Sequence, residues 1–426
     1  MPDISQASAR PLGRQDYKTL SLAALGGALE FYDFIIFVFF ATTIGALFFP
    51  PDMPDWMRLF QTFGIFAAGY VVRPLGGMVM AHFGDLLGRK KMFNLSILLM
   101  AVPTLLIGLL PTYASIGLAA PLLLLLLRVA QGAAVGGEVP GAWVFVSEHV
   151  PARHIGYACG TLTAGLTMGI LLGSLMATGI NSVFTPQQVL DYGWRLPFVL
   201  GGVFGLGAMY LRRWLHETPV FTELKQRKAL AAELPLKAVL REHRGAVVLS
   251  MLLTWMLSAA IVVVILMTPT LLQKGYGFDA RTALMANTAA TLCLAVGCVV
   301  AGVLADRLGA RRMLIGGALL LAVCTYVFYT TVKVRPDLLL PLYALLGFAV
   351  GVVGVVPSVM VRAFPAPVRF SGLSFSYNLA YAVFGGLTPV MVTLMLKVQP
   401  LAPAWYVMAL CAVGIATALF VRDGQR

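Results

Sequence analysis

The sequence predicts an all-α membrane protein with twelve transmembrane helices in two pseudo-symmetric six-helix bundles. Composition is the first reason. The 426 residues are 59% hydrophobic and 12% charged, with a mean hydropathy of +0.86, whereas soluble domains carry about 25% charged residues. Patterning is the second. Apolar segments fall near 20–49, 58–83, 91–111, 118–147, 154–183, 194–215, 245–273, 282–305, 311–332, 338–363, 369–396 and 401–421, each close to or beyond the roughly 20 residues that cross hydrocarbon. The third is an internal repeat. Asp85, Gly88 and Lys90 after the second segment recur at the same spacing as Asp306, Gly309 and Arg311 after the eighth, 221 positions later. Pro151 and Arg153 after the fourth segment have a weaker echo in Pro365 and Arg369 after the tenth. Six spans followed by six related ones is a transporter architecture, with a solute site near midplane between the halves.

These marks divide the chain into a polar N-terminal tail (1–19), a first bundle (20–215), a connector rich in Lys, Arg and Glu (216–244), and a second bundle ending in a short tail (245–426). The net charge of +13 follows topology. With both termini cytoplasmic, the inner loops and tails hold 22 of the 31 Lys and Arg, the outer loops hold 7, and Arg73 and Arg128 stay inside the membrane. That asymmetry is the positive-inside pattern, so the expected partner is a lipid bilayer and not nucleic acid. Attraction of the basic loops to anionic lipid is a secondary expectation. The first apolar run is too long for a signal-peptide core, which predicts a retained N-terminus. All five cysteines (Cys159, Cys293, Cys298, Cys324, Cys411) fall in apolar segments. Their placement suits packing and neither a disulfide framework nor a metal site, so no metal and no cofactor is expected.

The first segment carries two carboxylates, Glu30 and Asp33. Asp33 lies about 20 Å into the run, near midplane. The i, i+3 spacing places both acids on one stripe with Ala23, Gly26 and Gly27. A carboxylate at that depth is costly unless paired, protonated or wet, so the stripe is expected to line a water path on which a proton moves. A buried pair that merely fastens helices is the alternative. The second segment repeats Gly69, Arg73, Gly77 and Met80, with Pro74 directly after the arginine. Arg73 lies about 18 Å from the cytoplasmic end, too deep to snorkel, and needs an anion. Its other reading is to satisfy carbonyls freed beside Pro74.

The fourth segment is polar too. Arg128 sits in its outer half, Gln131 and Glu138 share a face, and Gly132, Gly136, Gly137 and Pro140 make it thin and bendable. Gly165, Gly169 and Gly173 of the fifth segment form a small-residue seam, read either as plain packing or as a sliding surface between halves. No charged residue lies in the interior of the last six segments, away from their ends. They offer Thr254, Trp255, Ser258, Asn287, Thr291, Ser358, Tyr377, Asn378 and Tyr381 for orienting a small polar solute. Proton and anion handling are thus expected in the first half and shape selection in the second, with Arg73 anchoring a carboxylate or zwitterion.

The paired loops resemble the signature of the major facilitator superfamily. Glu30-Phe31-Tyr32-Asp33-Phe34, Arg73-Pro74-Leu75-Gly76-Gly77, Arg128-Val129-Ala130-Gln131-Gly132 with Gly136-Gly137-Glu138, and Tyr377-Asn378-Leu379-Ala380 with Phe384-Gly385-Gly386 are similar to its metabolite:proton symporter branch. That branch contains osmoprotectant, α-ketoglutarate, citrate and shikimate permeases. The resemblance implies the major facilitator fold and import of a small organic acid or zwitterion by proton symport, in a monomeric multi-pass protein of a bacterial inner membrane. It also implies an Asp33–Arg128 pair as the proton switch, supported by Glu30 and Glu138, because arginine holds an aspartate ionised when near and releases it when apart. Gln131, Tyr377, Asn378 and Tyr381 join Arg73 as solute contacts. Asp85, Arg89, Glu148, Asp306 and Arg307 form a cytoplasmic gate. Ala81 and Leu86 depart from the loop signature, so the first-half loop is expected to latch less firmly than the second, which keeps Gly302 and Arg307.

Other classes are weaker. The chain has no G-x-S-x-G, H-E-x-x-H or P-loop spacing, which argues against a hydrolase, a zinc protease or a nucleotide-driven pump. A proton-antiporting exporter or a facilitator remains within the fold. A sensor that binds without translocating would need a signalling domain for which the connector and tails leave little room.

Overall fold

The computed structural model describes residues 11–212, 217–226 and 235–421; parts of the expected N-terminal tail, connector and C-terminal tail lie outside the described residues. Among those described, every regular element is helical. Ten helices are long and apolar enough to cross a membrane, and two shorter apolar ones, Arg195–Tyr210 and Ala402–Ala418, complete twelve. The first half comprises α1 (Arg14–Phe39, resuming after Phe40 as Ala41–Phe48), α2 (Asp55–Leu87), α3 (Arg89–Leu109), α4 (Ala119–His149), α5 (Ile155–Val183) and α6 (Arg195–Arg212). The second comprises α7 (Arg244–Ala259, Ala260–Met267 and Thr268–Tyr276), α8 (Ala280–Leu308) and α9 (Ala310–Thr331). It continues with α10 (Leu339–Val350, Gly351–Gly354 and Val356–Ala363), α11 (Arg369–Ala380, Tyr381–Gly385 and Gly386–Leu396) and α12 (Ala402–Ala418).

Local chemistry explains the deviations from straight rods. α1 starts before the apolar run because the Asp16 carboxylate accepts the Gly13 N–H at 2.8 Å and closes the first turn. Pro74 in α2 and Pro140 in α4 each lack a backbone donor, which weakens the ladder one turn earlier. α7 and α11 each contain a widened π turn, at Ala260–Met267 and Tyr381–Gly385. Such turns concentrate at functional sites, and the second begins on Tyr381, a residue that the sequence singles out.

Helix contacts follow the small residues. A Cβ at Gly132 or Gly136 of α4 would strike the α2 backbone at Gly69 or Arg73. The α8–α10 pair repeats this arrangement, with Gly351 against Gly297. The seam Gly165, Gly169 and Gly173 packs on Ala24, Ala28 and Phe39 of α1, inside the same half. It is therefore a packing seam and not the sliding surface between halves. The halves themselves meet where Gly156 and Gly160 of α5 lie against Gly302 and Cys298 of α8, and absent side chains let the backbones approach closely.

The turns α2–α3, α4–α5, α8–α9 and α10–α11 share one end of the molecule with the connector, here termed the basic end. At the opposite end Phe40, Phe48, Trp194 and Phe198 pack edge-on. There Arg195 Nη1 donates to the carbonyls of Gly108 and Leu110, both at 2.8 Å, satisfying the C-terminus of α3. Exposed Val71, Leu126, Val248 and Leu394 belong to the outer surface that lipid covers.

Candidate functional site

Arg73 occupies the junction of the halves. It is 2% exposed, and its guanidinium carbon stands 4.8 Å from the ring centre of Tyr381, 5.3 Å from Tyr70 and 5.7 Å from Tyr377. Tyr70 precedes Arg73 by three residues on α2, so both share a face. Tyr377 and Tyr381 are one turn apart on α11, in the other half. Tyr70 and Tyr381 lie parallel at 6.3 Å, and Trp143 meets Tyr377 edge-on at 5.0 Å. Glu30 and Arg73 both act electrostatically on the Tyr377 hydroxyl. Ring faces stabilise a desolvated cation by about 2 kcal/mol or more, but they do not accept its N–H bonds. Among the described residues, Nε and Nη2 of Arg73 are buried without a hydrogen-bond acceptor, carbonyls near Pro74 included. A carboxylate accepting two parallel N–H bonds matches that fork.

The two acids of α1 separate. Residues three apart differ by about 60° around a helix, and here that rotation decides their neighbours. Glu30 lies toward Tyr377, whereas Asp33 fits a notch on α6: a Cβ at Gly201 would overlap Asp33 Oδ1, and one at Gly205 would touch Oδ2. The Thr104 hydroxyl of α3 sits beside the Asp33 carboxylate. Among the described residues Asp33 forms no ion pair with Arg128. Arg128 Nη1 instead donates to Gln131 Oε1 at 2.7 Å, and Gln131 Nε2 donates to Thr104 Oγ1 at 2.7 Å. Phe34 and Phe37 at 4.5 Å and Phe66 at 5.0 Å wrap the guanidinium. In place of that pair, a hydrogen-bonded bridge Arg128–Gln131–Thr104 runs up to Asp33, with the Thr104 hydroxyl proton itself given to the Met100 carbonyl at 2.8 Å. Gln131 spends both ends of its amide in that bridge.

Glu138 lies about 10 Å further along α4 from Gln131, toward the basic end. It accepts a hydrogen bond from Ser96 of α3, which ties α3 to α4. Asn378, expected as a solute contact, has its amide nitrogen engaged within the protein. Its Nδ2 donates to the Gly136 carbonyl at 2.6 Å and the Ser374 carbonyl at 2.9 Å, and Ser374 Oγ donates to Gly136 O at 3.2 Å. α11 is thereby locked onto α4, and a Cβ at Gly77 of α2 would intrude within 2.5 Å of the Asn378 amide. Ser258, Thr291 and Ser358 donate to carbonyls of their own helices, Thr254 to Met360, and Asn287 accepts from Tyr343. Trp255 stacks on Phe384 at 4.2 Å. Of the second-half residues proposed from sequence, Tyr377 and Tyr381 are the ones that reach Arg73.

The basic end is closed by a reciprocal latch. Asp85, ending α2, accepts the Ser371 N–H at the start of α11 at 2.9 Å. Asp306, ending α8, accepts the N–H groups of Gly156 and Tyr157 at the start of α5 at 2.8 and 2.7 Å. Each repeated aspartate therefore caps a helix N-terminus of the other half, where unpaired N–H groups and the helix dipole favour an anion. Arg89 adds a 2.6 Å contact with Glu148, which in turn meets Arg369 at 2.8 Å, and Arg89 Nη2 donates to Ala366 O at 2.7 Å. Glu217 of the connector accepts the Lys90 N–H, and the Phe221 ring lies 5.8 Å from the Arg89 guanidinium carbon.

Two sequence expectations change here. Arg307 is exposed and forms none of these links; Arg362, 3.8 Å from Asp306 and bonded to Ala152 O, stands there instead. The first-half loop is also the more heavily paired one, since both Asp85 and Arg89 take part in the latch. Removing one partner from a buried ionic network costs about 3–5 kcal/mol, so Glu148→Ala is expected to open the basic end. Electron–electron resonance between spin labels at exposed Lys91 and Arg307 should then report a longer distance. An unchanged distance distribution would mean that the latch is held without Glu148.

A buried arginine and acids between two six-helix halves, with a latch of breakable ion pairs at one end, define a membrane transporter and not an enzyme. The fold and the relatives agree. The chain belongs to the major facilitator superfamily, whose family model matches residues 23–389. It is 31% identical to the shikimate transporter of Escherichia coli (strain K12) over 444 residues, covering 100% of both chains. It is 29% identical to the proline/betaine transporter of Salmonella typhimurium, over 95% of this chain and 83% of that one. Among solved structures, the proton:xylose symporter XylE bound to 6-bromo-6-deoxy-D-glucose superposes with a TM-score of 0.79 at 18% identity, covering 96% of each chain, which shows the same fold.

Proposed function

We propose that this protein is a proton symporter that imports a small carboxylate-bearing metabolite, a zwitterion or a hydroxylated acid, across a bacterial inner membrane. It works as a monomer by alternating access, with the basic end and both termini in the cytoplasm. The observation that carries this reading is Arg73: buried at the junction of the halves, ringed by Tyr70, Tyr377 and Tyr381, with two N–H groups lacking an acceptor. The solutes named for the relatives, proline, betaine and shikimate, share one group, a carboxylate, and that is the group this fork recognises. Proton coupling is assigned to α1 and α4. Asp33 is the proton carrier, and Gln131 and Thr104 transmit its charge state to Arg128. When the halves rock, the bridge stretches, and the balance between ionised and protonated Asp33 shifts with it.

Purified protein in proteoliposomes, given glycine betaine, proline or shikimate under an imposed pH gradient, tests this directly. Accumulation of one of them toward the alkaline side is the expected result. Its expulsion toward the acidic side would make the protein an antiporter, and movement indifferent to the gradient would make it a facilitator.

A further inference from the structure

Arg244 opens α7 at the point where the connector meets the membrane, and a cleft of about 1030 Å³ lies beside it between α7, α10 and α12. The walls are apolar, with Leu249, Val359, Val413 and Ala416 among them. The mouth holds two cations, Arg244 and Arg362. Val248 of α7 and Phe420, just past the end of α12, also line it and are strongly exposed, so the cleft opens sideways onto lipid and not onto the path through Arg73. On the other side of Arg244, Lys237 and Arg241 of the connector helix Pro235–Glu242 border a second apolar recess against Met78, Val79 and Phe83 of α2. Among the described residues the nearby acids are committed: Glu242 to Arg241 at 2.5 Å, and Asp306 to the start of α5. Counted over the described residues, the rim is therefore net positive above a greasy slot.

We propose that this cleft is a binding site for an anionic phospholipid, with the phosphate between Arg244 and Arg362 and an acyl chain along the slot. Charge complementarity selects the headgroup, since basic pockets between membrane helices attract anionic lipid. The apolar walls select a lipid over a free anion, because an aqueous phosphate gains nothing from Val359 or Ala416. Arg244 uses Nε on the Leu240 carbonyl and Arg362 uses Nη2 on the Ala152 carbonyl, so each keeps other N–H donors for a phosphate. Because Arg362 also stands 3.8 Å from Asp306, the bound headgroup touches the latch.

Native mass spectrometry of the full-length protein in detergent, offered equal amounts of dioleoyl phosphatidylglycerol and dioleoyl phosphatidylcholine, tests this site. Wild type should retain phosphatidylglycerol preferentially, and Arg244→Gln should lower that preference about fivefold, as expected for one surface cation. Ala416→Phe, which fills the slot and leaves both arginines in place, should also lower it. Millimolar inorganic phosphate should not displace the lipid. Equal retention of the two lipids by wild type, or undiminished preference in both variants, overturns the proposal. Displacement by phosphate with Ala416→Phe unaffected overturns it too, leaving a simple anion site.

Discussion

Asp33→Asn is expected to abolish accumulation driven by a pH gradient while leaving solute exchange across the membrane intact. Asparagine matches aspartate in shape and fits the same notch at Gly201 and Gly205 beside Thr104, so the variant mimics the protonated carrier and never releases its proton. One proton moving down a one-unit gradient supports about tenfold accumulation, since each 1.4 kcal/mol is a factor of ten. The variant should therefore bring the inside-to-outside ratio from about ten to one. Glu30→Gln is the necessary companion, because Glu30 lies on the Tyr377 side of α1. Full acid-driven accumulation by Asp33→Asn, with loss in Glu30→Gln, would move the proton to the solute side and end the role given to Asp33. The bridge can be tested in the same assay. Thr104→Val keeps the volume and removes the hydroxyl between Gln131 and Asp33, so it should displace the pH profile of transport without lowering the amount of folded protein.

The fold was readable because membrane spans are written at a scale that composition alone reveals. Twelve apolar runs gave twelve helices, with ends displaced where polar caps such as Gly13–Asp16 extend a helix beyond the hydrocarbon. The latch was half readable. Asp85 and Asp306 were visible as a repeat, but their partners are backbone N–H groups of Ser371, Gly156 and Tyr157, and a backbone donor has no sequence signature. Arg369 carried a faint signal as the echo of Arg153; Arg362 carried none. Within the site, helical phase limited what could be read. A spacing of three residues suggests one stripe for Glu30 and Asp33, yet about 60° of rotation gives them different neighbours. Thr104 is one of two hydroxyls in α3, and such groups mostly bond their own helix, as it does to Met100 O at 2.8 Å. Tyr70, by contrast, could have been found, since it lies one turn before Arg73 on the face already assigned to function.

Arg73→Ala is expected to weaken binding of a carboxylate solute by at least about thirtyfold. Truncating one member of a buried, hydrogen-bonded charge pair costs about 2–5 kcal/mol, and the lower figure already corresponds to roughly thirtyfold in Kd. Arg73→Lys should fall between the two, since it keeps the charge but loses the planar fork that presents two donors at once. Trp143, edge-on to Tyr377 at 5.0 Å, places a fluorophore beside the site, so solute-induced quenching gives Kd without transport. The alternative role, in which Arg73 supports the bend at Pro74, predicts a different pattern. Arg73→Ala would then lower the quantity and melting temperature of the protein, and Arg73→Lys would restore both along with affinity. Normal protein levels with lost affinity in both variants, graded as alanine worse than lysine, identify the carboxylate fork; equal affinity in all three proteins would remove Arg73 from solute recognition.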